Sequence, residues 1–264
     1  MRRDLAVVGV AWLAATALGE LFARANLYPT IRSDKGHEIV EAFRTLLAFA
    51  VPVFTFVLVV LIYSVLRYRV RGQPDADGPP LVGRGLVPVA WFVVTAALAV
   101  TIMIDPGLVN LPTVVEAYTQ PDLVVQVGSM QWAWTITYPQ YGVTTRSELV
   151  LPVDRKVRFD ITSADVVHSF WIPAFYMRID AVPGMTTSVS LRPTRIGSYA
   201  EDPNLRLQCS QLCGLGHALM TMPVRVVSQA DFDAWIHQQA RPASGSSPAA
   251  PVSASEHGTG GDAR

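Results

Sequence analysis

The sequence predicts a membrane-anchored protein in two parts, a transmembrane helical hairpin followed by an all-β domain. Three observations lead there. Uncharged apolar runs dominate the first 105 residues, and short β-rich segments separated by Pro, Gly and Asp fill the stretch after Asp105. Half of the 264 residues are hydrophobic and only 16% are charged, a balance that suits a membrane anchor better than a soluble chain. Lys+Arg and Asp+Glu both number 21, so overall charge argues for no nucleic-acid partner. Two cysteines are too few for a disulfide scaffold.

The anchor comes first. Between Arg44 and Arg67 the chain reads TLLAFAVPVFTFVLVVLIYSVL, and between Arg84 and Asp105 it reads GLVPVAWFVVTAALAVTIMI, both without a charged residue. A helix needs roughly 20 apolar residues to cross a hydrocarbon core about 30 Å thick. Both runs reach that length, which places spans at about 45–66 and 85–104 within a hairpin over 26–106. Residues 1–25 have a basic start, an apolar stretch from Leu5 to Gly19, and small residues at Ala23 and Ala25. They read as a secretory signal peptide, with an extra N-terminal helix as the alternative. The connector holds Arg67, Arg69, Arg71 and Arg84, whereas 105–122 has no Lys or Arg. The positive-inside rule therefore puts the connector in the cytoplasm and the β-rich part outside; the expected location is a bacterial-type plasma membrane.

The outer domain is expected over 107–240. Its strand candidates are DLVVQVGSMQWAWTITY, SELVLPV, KVRFDIT, VVHSFWIP, TTSVSLRP and TMPVRVVS. Short strands with regular turn signals indicate a sandwich or barrel. The segment QADFDAWIHQQ is expected to close the domain as a helix, with Phe232, Trp235 and Ile236 inward. From Arg241 to the end, Pro, Gly, Ser and Ala without aromatics predict a disordered tail in which His257 is solvated.

Chemistry concentrates in CSQLCGLGHALM, residues 209–220, which contains both cysteines, a histidine and a methionine. Outside the membrane, a disulfide between Cys209 and Cys213 is one reading, strained by the four-residue spacing. A zinc site with a remote histidine is another. Two thiolates, an imidazole and a thioether favour copper and electron transfer, because zinc rarely takes a thioether. The second histidine is best sought at His168, at a strand end in SADVVHSFWIP. His37, beside Lys35 and Glu38, and His237, on the closing helix, read as solvated.

The loop Cys209-Ser-Gln-Leu-Cys213-Gly-Leu-Gly-His217-Ala-Leu-Met220 resembles the binuclear copper loop of cytochrome c oxidase subunit II. SADVVHSFWIPAFYMRIDAVPGM is similar to that family's first-histidine segment, and GSMQWAWTITYP to its aromatic stretch. The resemblance implies a cupredoxin-like Greek-key β-sandwich carrying two copper ions (CuA). It implies Cys209 and Cys213 as bridging thiolates and His168 and His217 as one cap on each copper. Met220 and the backbone carbonyl of Gln211 would be the weak ligands. Trp132 would be the point of electron entry from cytochrome c. The partners implied are subunit I of a haem-copper oxidase, which reduces oxygen to water, and subunit III. Residues 105–240 contain 12 acidic and 9 basic side chains, a net of −3 that would steer a basic donor only mildly.

Three departures from the family pattern matter. Position 211 is Gln where a Glu is usual, and a neutral amide is a poor ligand for magnesium, which is not expected here. Pro88 lies near the start of the second span, where the family often has a glutamate at the mouth of a proton path into subunit I; no carboxylate lies between Arg84 and Asp105, so proton uptake by that route is not supported. Finally, AEDPNLRLQ lengthens the approach to Cys209 and reads as a tolerated surface insertion. Rival functions are the copper subunit of a nitric oxide reductase and a copper-binding assembly protein.

Overall fold

The computed structural model describes residues 2–25, 28–69, 72, 85–109 and 120–240. Arg71 and Arg84 of the connector and the tail from residue 241 lie outside the described residues. Among the described residues, three helices are long and apolar enough to cross a membrane: α1 (Arg2–Ala23), α2 (Asp34–Arg67) and α3 (Leu86–Ile102, its apolar span continuing to Asp105). Pro88 falls in the first turn of α3, where its missing N–H has no intrahelical partner to lose. In α2, Pro52 is internal, and its carbonyl accepts a hydrogen bond from Trp12 Nε1 of α1 at 2.9 Å.

Helices α1 and α2 pack along a specific seam. The hydroxyls of Thr16 and Thr55 are 2.8 Å apart, and Tyr63 donates to Asp4 at 2.7 Å. A Cβ at Gly19 would lie 2.6 Å from Val51 Cγ1, so the backbones approach closely there. Helix α2 begins outside the apolar run, because Ser33 caps it by accepting from Gly36 N at 3.1 Å.

The outer part is a sandwich of two sheets. One has the order β3 (Val143–Thr145), β2 (Ala133–Tyr138), β1 (Leu123–Met130), β5 (Val157–Ser163), β8 (Thr187–Leu191). The other has the order β4 (Leu149–Pro152), β11 (Thr221–Val227), β10 (Arg206–Cys209), β6 (His168–Ile172), β7 (Met177–Ala181), with β9 (Gly197–Ser198) also pairing with β11. β1 with β5 and β4 with β11 are parallel, and the remaining ladders are antiparallel. Along β5 the alternation is strict: Val157, Phe159, Ile161 and Ser163 face inward. They meet Trp134, Ile136, Phe170 and Ile172 in one buried core. The closing helix α4 (Gln229–Ala240) buries Phe232, Trp235 and Ile236 against Tyr138 and its neighbours, as the sequence predicts.

The structure departs from the sequence reading in two places. DLVVQVGSMQWAWTITY is a hairpin of two strands, closed by Met130↔Ala133, so the aromatic stretch turns where one segment was expected. The residues before Cys209 do not form a free surface insertion. Asp202 accepts from Arg32 Nε at 3.0 Å, and Leu205 is fully buried, so part of the added stretch packs inward while Ala200, Glu201 and Pro203 stay exposed.

Candidate metal centre

Two strands and a loop bring the candidate residues together. His168 opens β6, Cys209 closes β10, and the two strands pair through Cys209↔Phe170. β6 is buried along nearly its whole length, and His168 completely so, with its ring edge-on to Trp134 at 6.3 Å. After Cys209 the chain leaves the sheet, makes a turn at Gly214 with φ 113°, and re-enters through a short 3-10 turn at His217–Leu219. Met220 then leads into β11, and its carbonyl accepts from Cys209 N at 3.1 Å and from Trp134 Nε1 at 3.3 Å. The loop is thus closed on itself at its base.

The donor atoms converge. Cys209 and Cys213 are free, buried thiols with sulfurs 3.7 Å apart. His168 Nδ1 is 3.8 Å from Cys209 Sγ, and His217 Nδ1 is 3.5 Å from Cys213 Sγ. The carbonyl oxygen of Gln211 is 3.1 Å from Cys209 Sγ. Ligand atoms of His168, Cys209 and Cys213 all lie within 4.8 Å of one another, the spacing a metal site requires. Met220 is buried in the same loop, whereas His37 and His237 are exposed, as expected of them. Each sulfur therefore has one imidazole nitrogen beside it.

Burial pushes the Cys213 thiol up to about 11, with the adjacent Cys209 adding to the effect. Such a thiol ionises readily only when a cation replaces its proton, which is the condition for metal-linked proton release. The set of two thiols, two imidazoles, a thioether and a carbonyl fits soft, nitrogen-binding copper.

Asp165, Gln131, Gly214 and Gly216 also shape the site and were not singled out by the sequence. Asp165 Oδ1 is 2.9 Å from His168 Nε2, so that nitrogen carries the proton and Nδ1 presents its lone pair on the Cys209 side. Burial works against the Asp165 charge. Hydrogen bonds from His168, Gln131 N and Val166 N outweigh it and lower the carboxyl to about 2. Gln131 Nε2 and Trp132 Nε1 both donate to the Cys213 carbonyl, at 2.8 and 3.1 Å. A Cβ at Gly216 would meet the Trp132 ring at 2.5 Å, and one at Gly214 would lie 3.0 Å from Gln131 Nε2. The two glycines of Cys213-Gly-Leu-Gly therefore make room for the tryptophan. A carboxylate three residues before His168 was a readable signal; the partners of Gln131 were not.

The role of Asp165 gives a direct expectation. Asp165→Asn keeps the shape but leaves one oxygen to serve both His168 and Gln131 N. Copper affinity, measured by chelator competition, should fall about 10-fold to 100-fold, the usual effect of losing such a partner. Unchanged affinity would count against His168 as a ligand oriented by Asp165.

The comparisons with known proteins bear on the same segment. The family model described as cytochrome c oxidase subunit II, periplasmic domain, matches residues 142–228. Cytochrome c oxidase subunit 2 of Thermostichus vulcanus is 28% identical, covering 81% of this chain and 78% of its own. The probable cytochrome c oxidase subunit 2 of Rickettsia bellii is also 28% identical, covering 72% of this chain and 75% of its own. Among solved structures, the periplasmic domain of subunit II of the Bradyrhizobium japonicum cytochrome oxidase is 31% identical. That likeness covers 46% of this chain and 94% of the other, with a TM-score of 0.42. Apolar helices, a cupredoxin-like sandwich and a match that spans His168 to Met220 therefore place the chain, as a divergent member, in the cytochrome c oxidase subunit II family.

Proposed function

We propose that this chain is the electron-entry subunit of a haem-copper terminal oxidase, taking electrons from a cytochrome c and passing them to subunit I. In this reading His168, Cys209, the Gln211 carbonyl, Cys213, His217 and Met220 hold two copper ions. The observation that carries it is the pair of buried sulfurs 3.7 Å apart, each with its own imidazole nitrogen. Bound there, copper would supply a one-electron carrier, and the chain would hold its donors in place while the electron arrives and leaves.

What the chain itself does is hold those ligands still and offer a way in. The closed base of the loop and the Asp165–His168 bond orient the donors before any metal arrives. Trp132 is 40% exposed, and its indole N–H bonds the carbonyl of the ligand Cys213. That connection supports Trp132 as the entry point. Leu212, Leu215 and Leu219 are exposed on the same loop, Leu215 completely. They form an apolar collar suited to a donor protein that docks briefly and leaves.

The proposed organisation is an anchor of membrane spans with the sandwich on the outer face. α1 is read as a third, retained span, because Asp4, Trp12 and Thr16 bond specifically to α2. The test is to purify the copper-loaded protein, count its metal and record its electron paramagnetic resonance spectrum. Two coppers per chain and one unpaired electron shared equally are expected, and the same sample should have an intact mass that includes residues 2–23. A single-copper spectrum, or a Cys209–Cys213 disulfide in loaded protein, would overturn the copper reading. A mass beginning beyond Ala23 would overturn the third span.

A further inference from the structure

The turn between α1 and α2 is fastened to the sandwich. Arg32 N donates to the Ala174 carbonyl at 3.0 Å, and the Arg32 carbonyl accepts from Thr194 N at 2.9 Å. Its side chain adds two bonds, Nε to Asp202 at 3.0 Å and Nη1 to the Ile196 carbonyl at 2.9 Å. A Cβ on Gly197 would come within 2.5 Å of that guanidinium, so the strand β9 passes directly over it. Ser33, fully buried, donates to the Phe175 carbonyl at 2.7 Å while capping α2. Three loops of the sandwich are thereby joined at the point where a membrane helix starts.

Those loops lead straight to the copper ligands. Ala174 and Phe175 follow the end of β6, whose first residue is His168; Asp202 precedes β10, whose last residue is Cys209. A five-residue strand spans about 13 Å, so the tie and the ligands lie at opposite ends of β6. Asp202 and Arg32 are mostly buried, with 11% and 14% of their side chains exposed. Burial opposes the Asp202 charge, but hydrogen bonds from Asn204 and Arg32 prevail and hold its carboxyl below the usual range. The ionised Asp202 carboxylate is therefore held against the Arg32 guanidinium in a partly dry setting.

We infer that Arg32 and Asp202 are positioning residues that fix the copper loop relative to the membrane anchor, and so govern electron transfer from the copper site to the partner subunit. This rests on the electron-entry reading above. The lengthened approach to Cys209 acquires a purpose in it, because Asp202 lies within the added residues. Transfer between subunits depends on how far the donor centre sits from its acceptor, and a misplacement of about 1 Å can cost orders of magnitude in rate. Reduction of the copper site by a soluble donor does not depend on the anchor in this way, since the donor finds the domain wherever it sits.

The test uses the assembled oxidase with Arg32→Met, Arg32→Lys and the near-isosteric Asp202→Asn. Two rates are followed by rapid kinetics: reduction of copper by reduced cytochrome c, and reoxidation of copper by haem of the partner subunit. Reoxidation should slow about 10-fold in Arg32→Met and by a smaller factor in Asp202→Asn. The copper spectrum and the rate of reduction should stay unchanged, and Arg32→Lys should recover part of the loss. If reoxidation is unaffected in Arg32→Met and Asp202→Asn, or if both rates and the spectrum fall together, the positioning role is overturned. A wild-type complex without a two-copper spectrum overturns the electron-entry reading instead, which keeps the two failures apart.

Discussion

Replacing Cys213 with serine should abolish the two-copper spectrum, whereas Met220→Leu should keep both ions and shift the reduction potential. The Cys213 sulfur is buried, 3.7 Å from Cys209 Sγ and 3.5 Å from His217 Nδ1, so it stands, like Cys209, between the two halves of the site. A serine hydroxyl is a hard, weak ligand that stays protonated at neutral pH, and it cannot bridge two soft ions. Met220 differs in kind. Its backbone already closes the loop through bonds from Cys209 N and Trp134 Nε1, and these survive the substitution. Leucine fills nearly the same volume, so the buried position stays packed. What changes is the thioether, which would tune a bound copper more than hold it. Metal counting, electron paramagnetic resonance and potentiometry separate the two variants. Loss of copper in Met220→Leu with retention in Cys213→Ser would reverse the proposed hierarchy of ligands.

The second large effect is on stability. Phe170→Ala should destabilise the outer domain by about 3–5 kcal/mol, the range for removing a fully buried phenylalanine. Phe170 is completely buried, with its ring 5.2 Å from Phe159 and 6.1 Å from Trp134, where the two sheets meet. It also pairs with Cys209 across β6 and β10, so the cavity opens directly behind the metal loop. Copper binding only to the folded state should offset part of the loss by mass action. Urea titration of residues 120–240, with and without copper, measures both quantities. A change below about 1 kcal/mol would contradict the placement of Phe170 at the centre of the core.

Much of this was legible in the residues because the signals are local. The membrane runs declare themselves through length and absence of charge; α3 follows its run closely, while α2 contains its run but begins well before it, at Asp34. Val157 to Ser163 alternates with period two and folds as β5, and Phe232, Trp235 and Ile236 share one helix face and are buried on it. The metal loop is contiguous, so its four side-chain donors could be read in a single line, and only His168 had to be sought elsewhere. What escaped was non-local or too short. β3, β9 and β10 have two to four residues each, too few for a periodic pattern, and owe their form to neighbours such as β2 and β11. The hairpin inside GSMQWAWTITY was missed because no Gly or Asn marks its turn at Gln131–Trp132.

The division has a physical basis. By itself the sequence determined the two-part plan, the identity of the soft donors and the departure at Gln211, all of which depend on residue type and spacing along the chain. Only the tertiary structure decided that Asp165 orients His168 and that Gln131 and Trp132 hold the Cys213 carbonyl. It alone also brought Arg32 to Asp202 across 170 positions of sequence. Hydrogen bonds of that kind carry no periodicity and no motif. They exist because two sheets, closed around one apolar core, bring distant polar groups within 3 Å of each other while excluding the water that would otherwise satisfy them.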